Sequence, residues 1–382
     1  MLTISLMNAQ REERLRRAIT SRLMHRTAPP ITKIELFLTE SCTLNCDYCF
    51  VANKKTSRRM PWNVACASVN MLLRLSRDVT TVSITFFGGE PLLEFLLMKR
   101  IAEYAENRAG QLGKKVCYAA TINGTRMTRE IALFGQEHGF NYLLSVDGER
   151  DAHDRHRITT SGRGSWETVM GANFNLLKSI QQWVGARVTV NPDTVDRLST
   201  GIRFLHNHGV NQFIIGTNMD VEWSKEELKM WGDEMREVAC FYAAEKKKGS
   251  PIRITEMDET LEDIRNRSAG YWGCDAGRTR VAVSCSGDLY PCSRFVSPFP
   301  GMSDRFRLGN VFEGITNHIA HADLMDSSDE RRPLCRVCGY KDLCQGPCPA
   351  CSFHMKGDIH APLPINCLYT RFRAERLGEQ AI

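Results

Sequence analysis

Three cysteines near the start of the chain are spaced for cluster chemistry. The run Cys42-Thr-Leu-Asn-Cys46-Asp-Tyr-Cys49 is a C-x3-C-x2-C pattern. A short loop with these gaps can wrap three thiolates around one face of a [4Fe–4S] cube and leave the fourth iron open. Four-cysteine cubes suit electron transfer, whereas an open iron can bind a substrate or cofactor directly. Zinc is the competing reading, but a structural zinc site wants four closed ligands and usually pairs its cysteines as C-x2-C.

A second group lies far downstream. Cys274 and Cys292 precede Cys335, Cys338, Cys344 and Cys348, a C-x2-C-x5-C-x3-C run, and Cys367 closes the set. Cys285 and Cys351 fall among them. Of fifteen cysteines in 382 residues, only Cys66, Cys117 and Cys240 lie outside the two groups. In a reducing compartment disulfides explain such usage poorly. Clustering at short, regular spacings is how metal ligands look. A zinc-ribbon-like module is the alternative for this second group.

The rest of the composition is ordinary. Hydrophobic residues at 42% and charged residues at 25% fit a globular chain of one large or two moderate domains. The N-terminus carries no signal-peptide pattern, and no segment approaches the ~20 apolar residues of a membrane span. The expectation is a cytoplasmic protein with no membrane partner.

The net charge of +6 is unevenly spread. Arg11, Arg14, Arg16, Arg17, Arg22 and Arg26 crowd residues 1–30, and Lys54, Lys55, Arg58 and Arg59 follow. These are solvated faces or a docking surface for an acidic partner or peptide. They lack the interleaved aromatics that stack bases, so no nucleic-acid partner is expected.

The elements that must position the first cysteines follow an alternating rhythm. After a basic helical extension over 1–30, strands are predicted at Lys33–Leu38, Val82–Phe86, Val116–Thr121, Tyr142–Val146, Ala186–Val190 and Gln212–Ile215. Helices are predicted near 61–77, 94–108, 128–138, 165–182, 195–208 and 225–247, with Pro61, Ser165 and Ser224 as starts. Six strand–helix units imply an α/β fold with a parallel sheet, a partial (β/α)6 TIM-like barrel short of the eight units that close one. Active sites in such folds sit at the C-terminal strand ends, where Cys42, Cys46 and Cys49 fall. A linker at 246–251 separates this barrel, residues 31–250, from a small Cys-rich iron–sulfur domain over 251–382. That second region has little apolar periodicity, so metal centres would supply its stability.

The first cysteine run, with Tyr48 before its last thiol, resembles the radical S-adenosylmethionine (SAM) superfamily. The resemblance implies that the open iron binds the amino and carboxylate groups of SAM and that reductive cleavage yields a 5′-deoxyadenosyl radical. Gly88-Gly89-Glu90-Pro91, after the second strand, resembles the family's GGEP motif, which implies a contact to the methionine amino group. Asn123 ends the next strand and could touch the cofactor or simply make a turn. Ser145-Val146-Asp147-Gly148, with Arg157 following, resembles the segment that contacts the ribose and the carboxylate. Val190 is weighed as an adenine contact, a plain strand residue being the simpler reading.

Residues 274–367 resemble the seven-cysteine SPASM extension of peptide- and protein-modifying members. This implies two auxiliary [4Fe–4S] clusters, three in all. Cys274, Cys292 and Cys348 would hold the first auxiliary cluster, and Cys335, Cys338, Cys344 and Cys367 the second. Some members add a ligand six residues before the first cysteine, where this chain has Ser268. The first auxiliary cluster then has an open iron or a different ligand, with Cys285 and Cys351 both candidates.

Two reactions of this class compete. Anaerobic sulfatase maturases form formylglycine, and the resemblance implies an aspartate after the cysteine matching Cys292. This chain has Ser293 there. The segment around Cys274 and Cys292 looks closer to maturases of ribosomally made peptides that form thioether or carbon–carbon crosslinks. Partners would be a precursor peptide and a reductant such as flavodoxin or ferredoxin. About forty residues precede Cys42, too few for a winged-helix leader-binding domain, so leader binding would use the barrel surface, the basic N-terminal helix or a separate protein. A non-catalytic electron-transfer or scaffold protein is the alternative of another class. The GGEP run and the Ser145–Arg157 pattern argue against it, because a scaffold needs no SAM pocket.

Overall fold

β-branched and aromatic runs bounded by turns become six parallel strands, as the pattern predicts. A computed structural model describes residues 19–20, 28–51, 57–181, 183–258, 274–296, 302–326, 328, 330–344 and 346–379. The expected helical extension over 1–30 lies almost entirely outside these residues, as do Lys54, Lys55 and Ser268.

The strands are β1 (Lys33–Thr39), β2 (Thr81–Gly88), β3 (Lys115–Ile122), β4 (Phe140–Ser145), β5 (Gly185–Val190) and β6 (Gln212–Thr217). Each pairs in parallel with the next. Every residue of β1 after Lys33 is buried, the signature of a strand covered on both faces. Helices α1 (Trp62–Leu75), α2 (Phe95–Gly110), α3 (Arg129–Glu137), α4 (Arg150–His156), α5 (Phe174–Ile180), α6 (Leu198–Asn207) and α7 (Lys225–Lys247) fill the crossovers. Ser224 opens α7 with a capping box: its hydroxyl accepts from Glu227 N, and the Glu227 carboxylate accepts from Ser224 N.

One predicted helix is interrupted. The span 165–182 runs as Trp166–Thr168, a π-type turn over Val169–Asn173, then α5. Gly171 sits at the break with φ −82° and ψ −125°, a backbone geometry that a residue without Cβ enters at little cost.

The chain does not leave the sheet at the expected linker. After α7, β7 (Arg253–Ile254) pairs in parallel with β6. On the opposite edge, β8 (Arg280–Val283) pairs in parallel with β1, Lys33 against Arg280 through Leu36 against Val283. Antiparallel β9 (Asp288–Tyr290), β10 (Gly309–Asn310) and β11 (Gly314–Ile315) continue outward. One eleven-stranded sheet results, in the order β11-β10-β9-β8-β1-β2-β3-β4-β5-β6-β7. The cysteine-rich region therefore covers the β1 edge, which would otherwise expose unpaired backbone groups. Phe295, Met302, Phe306 and Leu308 are fully buried and belong to the same core cluster as Leu36 and Phe37. This region shares the barrel's core instead of building one.

Candidate active site

The loop bearing Cys42, Cys46 and Cys49 leaves the C-terminal end of β1 and is pinned from the neighbouring strand end. Gly89 N donates to Thr39 O at 2.9 Å, and Glu90 N donates to Ser41 O at 2.9 Å. The approach leaves no room for side chains. A Cβ on Gly88, whose φ is +127°, would stand 2.3 Å from Thr39 O, and one on Gly89 would stand 2.1 Å from Ser41 O. Both glycines are required here by contact with backbone that cannot rotate away.

Glu90 has no exposed surface. Its Oε1 accepts from Leu92 N at 3.1 Å and its Oε2 from Asn123 N at 2.7 Å. Burial pushes the carboxyl up to about 7, opposed by those two N–H groups. In this arrangement the carboxylate braces two strand ends. Asn123 is the next brace. Its Nδ2 donates to Thr43 Oγ1 at 2.9 Å and toward Cys42 Sγ at 3.5 Å, while its Oδ1 accepts from Thr125 N and Thr125 Oγ1. Leu44 N also donates to Cys42 Sγ, at 3.4 Å.

The far side of the loop is held by charge. Tyr48 OH donates to Asp147 Oδ2 at 2.7 Å. Arg157 grips the same carboxylate in a fork, Nε to Oδ2 at 2.7 Å and Nη2 to Oδ1 at 3.0 Å. Thr189 N adds a bond to Oδ1 at 2.7 Å. The Arg157 guanidinium also lies 5.3 Å from the Tyr48 ring centre. Asp147 and Arg157 are 7% and 5% exposed, so their charges stand in a dry setting. Burial would raise the Asp147 carboxyl, but Arg157 outweighs it and holds it below the usual range. Cys46 lies close enough to influence both Tyr48 and Arg157. Behind them, His153 Nε2 meets Ser165 Oγ at 2.9 Å, and Ser165 Oγ donates to Arg157 O at 2.7 Å. Burial lowers His153 to about 4, so the ring is neutral. Ser145 sits at the β4 terminus, 9% exposed, beside this network. Val190 is buried at the end of β5.

Three half-buried thiols, with N–H donors aimed at one of them, are a donor set that fits an iron–sulfur cluster. Among the described residues no three Cys, His, Asp or Glu side chains close around a point as one metal ion would require. The ligands of a cube each meet a different iron, which asks for a wider frame.

The second cysteine group divides spatially in two. The charge of Cys348 bears on Cys274 and on Cys292, and Cys348 shares a side-chain hydrogen bond with Cys351. The charges of Cys344, Cys335 and Cys338 bear on Cys367. Burial pushes Cys274 up to about 11 and Cys292 well above its usual value; a thiolate at either place needs a cation against it, as cluster iron supplies. Cys344 Sγ accepts from Gly346 N at 3.2 Å. Cys285 stands apart from both sets. It is 4% exposed and its thiol donates to Phe37 O at 3.1 Å, on β1.

Cys292 is set on the barrel by Glu35 of β1, whose Oε2 accepts from Ser293 N at 2.6 Å and whose Oε1 meets Arg280 Nη1 at 3.3 Å. Arg294 then joins the two halves of the site. It ion-pairs with Asp220 beyond β6, lies 4.9 Å from the ring of Phe50, the residue after Cys49, and faces Cys351 and Cys348. Arg294, Asp220, Thr43, Thr125 and His153 carry no local sequence signal, because each acts through partners distant in the chain. Arg58 and Arg59, read as part of a solvated loop or docking surface, stay exposed while pairing with Glu40 and Glu94.

Comparison with known proteins decides the family. Residues 36–197 match the model of the radical SAM superfamily, and residues 274–340 match the SPASM iron–sulfur cluster-binding domain. The chain is a radical SAM enzyme with a SPASM extension. It is 30% identical over 278 residues to an uncharacterised protein of Methanocaldococcus jannaschii, covering 72% of this chain and 87% of that one. It is 21% identical over 330 residues to a cysteine-type anaerobic sulfatase-maturating enzyme of Clostridium novyi, covering 81% and 85%. With the radical SAM cyclopropyl synthase TigE of Paramaledivibacter caminithermalis the identity is 22% over 344 residues, covering 84% and 68%. Among solved structures, anSMEcpe with bound AdoMet and a Cp18Cys peptide superposes with a TM-score of 0.74 at 21% identity, covering 92% and 98%. Streptococcus suis SuiB bound to its precursor peptide SuiA gives 0.60 at 12% identity, covering 89% and 76%. These superpositions show the fold that a radical SAM/SPASM enzyme shares. No helix among the described residues is long and apolar enough to cross a membrane.

Proposed function

We propose that this radical SAM enzyme oxidatively modifies a ribosomally made peptide, forming a thioether or carbon–carbon crosslink. Cys42, Cys46 and Cys49 would hold the SAM-binding cluster, which when bound supplies a 5′-deoxyadenosyl radical at the strand ends. The chain's own work is positional. Gly88 and Gly89 admit the loop against β2, Glu90 and Asn123 brace its start, and the Tyr48–Asp147–Arg157 network anchors its end. Ser145, at the β4 terminus, would meet the cofactor together with Gly88, Gly89, Glu90, Asn123, Asp147 and Arg157. Cys274, Cys292, Cys348, Cys335, Cys338, Cys344 and Cys367 would hold two auxiliary clusters that accept electrons from the substrate, while a flavodoxin or ferredoxin would supply the electron for reductive SAM cleavage at the first cluster.

The observation that carries the crosslinking reading is Ser293. It follows Cys292, is 9% exposed, and its N–H is taken by Glu35. A carboxylate that could accept a substrate proton is absent from that position. The likeness to SuiB, solved with its precursor peptide, and to the cyclopropyl synthase TigE supports a peptide substrate. Formylglycine formation is the second reading, favoured by the likeness to sulfatase-maturating enzymes.

Two measurements test this. A reconstituted, dithionite-reduced sample should release 5′-deoxyadenosine from SAM; none would leave a scaffold protein. Incubation with the precursor peptide should give a product lighter by two hydrogen atoms per crosslink. A peptide that loses the sulfur of a cysteine and gains an aldehyde would establish formylglycine formation instead.

A further inference from the structure

Cys351 has no role in the ligand sets above, yet it is 2% exposed and sits inside the second cysteine group. Helix α8 (Pro349–Lys356) begins immediately after Cys348, which occupies its N-cap. Cys351 is the third residue of the helix. Side chains at N-cap and N3 meet across the first turn, as in a capping box, and here the two thiols are hydrogen-bonded to each other. Backbone N–H groups of Ala350 and Cys351 also point at Cys348. The helix N-terminus thus turns its positive end toward the Cys348 sulfur. Arg294, paired with Asp220, brings a full positive charge to bear on the same two sulfurs. A thiolate pair in a buried place needs this setting, and a cluster of net negative charge needs it more.

The other unassigned thiol is excluded by where it points. Cys285 donates to Phe37 O at 3.1 Å and toward Arg58 O at 3.7 Å, both on the barrel side of β8. It behaves as a small core residue with one hydrogen bond.

We propose that Cys351 is the fourth thiolate of the cluster framed by Cys274, Cys292 and Cys348. The assignment rests on the auxiliary-cluster reading given above and deepens it. Its consequence is chemical. A cube with four protein thiolates exchanges electrons but offers no iron to a substrate. A substrate cysteine would then never be bound by this cluster, and its electrons would leave through space to a closed acceptor.

The test uses the full chain with Cys42, Cys46 and Cys49 replaced by alanine, so that only auxiliary clusters remain. After anaerobic reconstitution, iron and sulfide should account for two cubes. Isotopically labelled cyanide, a probe for an open iron, should show no hyperfine coupling to the reduced clusters. Adding Cys351→Ser should either create that coupling or roughly halve the iron, whereas Cys285→Ser should match the parent. Cyanide coupling in the parent would overturn the assignment by revealing an open iron with Cys351 intact. So would a Cys351→Ser protein with parental iron, spectrum and cyanide response. A parent with iron for one cube, unchanged by Cys274→Ala, would overturn the auxiliary-cluster reading itself.

Discussion

The phenol of Tyr48 and the carboxylate of Asp147 are hydrogen-bonded at 2.7 Å, across 99 residues of sequence. Tyr48 lies between Cys46 and Cys49, and Asp147 lies just past β4. The bond therefore ties the loop of Cys42, Cys46 and Cys49 to the opposite side of the strand-end surface. Arg157 completes the tie with its forked grip on the same carboxylate.

Replacing Asp147 with asparagine should be severe. It leaves Arg157, 5% exposed, without its counter-charge. Breaking one side of a buried pair costs about 3–5 kcal/mol. The Asp147→Asn protein should melt markedly lower and retain less iron at the first cysteine group, read by thermal unfolding and iron analysis. Tyr48→Phe should cost less, about 1.5–3 kcal/mol for a hydrogen bond to a charged group. It should keep its cluster while cleaving SAM more slowly.

Glu90 makes a pH prediction. Its folded carboxyl is raised to about 7 by burial, against 4.5 for an ordinary glutamate. A raised acid contributes stability that is fully present below the unfolded value and is lost as pH climbs through the folded one. The wild type should therefore lose roughly 3 kcal/mol of relative stability between pH 4.5 and 7 through this group. Glu90→Gln removes that dependence. It also leaves either Leu92 N or Asn123 N unanswered, a cost of about 1–3 kcal/mol. The difference between the two proteins' melting temperatures should shrink as pH rises across this window. A difference independent of pH would refute the buried, protonatable brace.

Gly89 makes the sharpest steric prediction. An added Cβ would meet Ser41 O at 2.1 Å and Glu40 O at 2.8 Å, both backbone atoms. Gly89→Ala must push the loop away from β2. The visible absorption of the first cluster should fall strongly in the reconstituted variant, while the auxiliary clusters survive. Gly110→Ala, at the end of α2, is the control for loss of a glycine, since nothing lies within 4 Å of its Cβ position and its backbone is not left-handed.

Asn123→Ala should act on the same loop more gently. It removes the donor to Thr43 and Cys42 and the acceptor for Thr125, but not the backbone bond to Glu90. The loss should be about 1–3 kcal/mol of local order. It should appear as faster loss of iron to a chelator at unchanged initial loading.

The sequence by itself determined what is local. The C-x3-C-x2-C spacing, the six strand–helix periods and the downstream cysteine run identify the family, because each depends on residues a few positions apart. The helix break at Gly171 and the seventh strand were beyond such reasoning, since one is a backbone choice settled by packing and the other is only two residues long. Only the tertiary structure decided what Glu90, Asn123, Asp147 and Arg157 do. Glu90, Asn123 and Asp147 were legible as strand-end residues and Arg157 as following the last of them, but their partners lie elsewhere in the chain, and the fold joins all four to the loop of Cys42, Cys46 and Cys49. It also separates Cys285 from Cys351, equally plausible by spacing. β8 turns Cys285 into the core against Phe37, and the first turn of α8 brings Cys351 onto Cys348. The direction a side chain takes depends on the element that carries it and on what that element packs against, and spacing along the chain does not encode either.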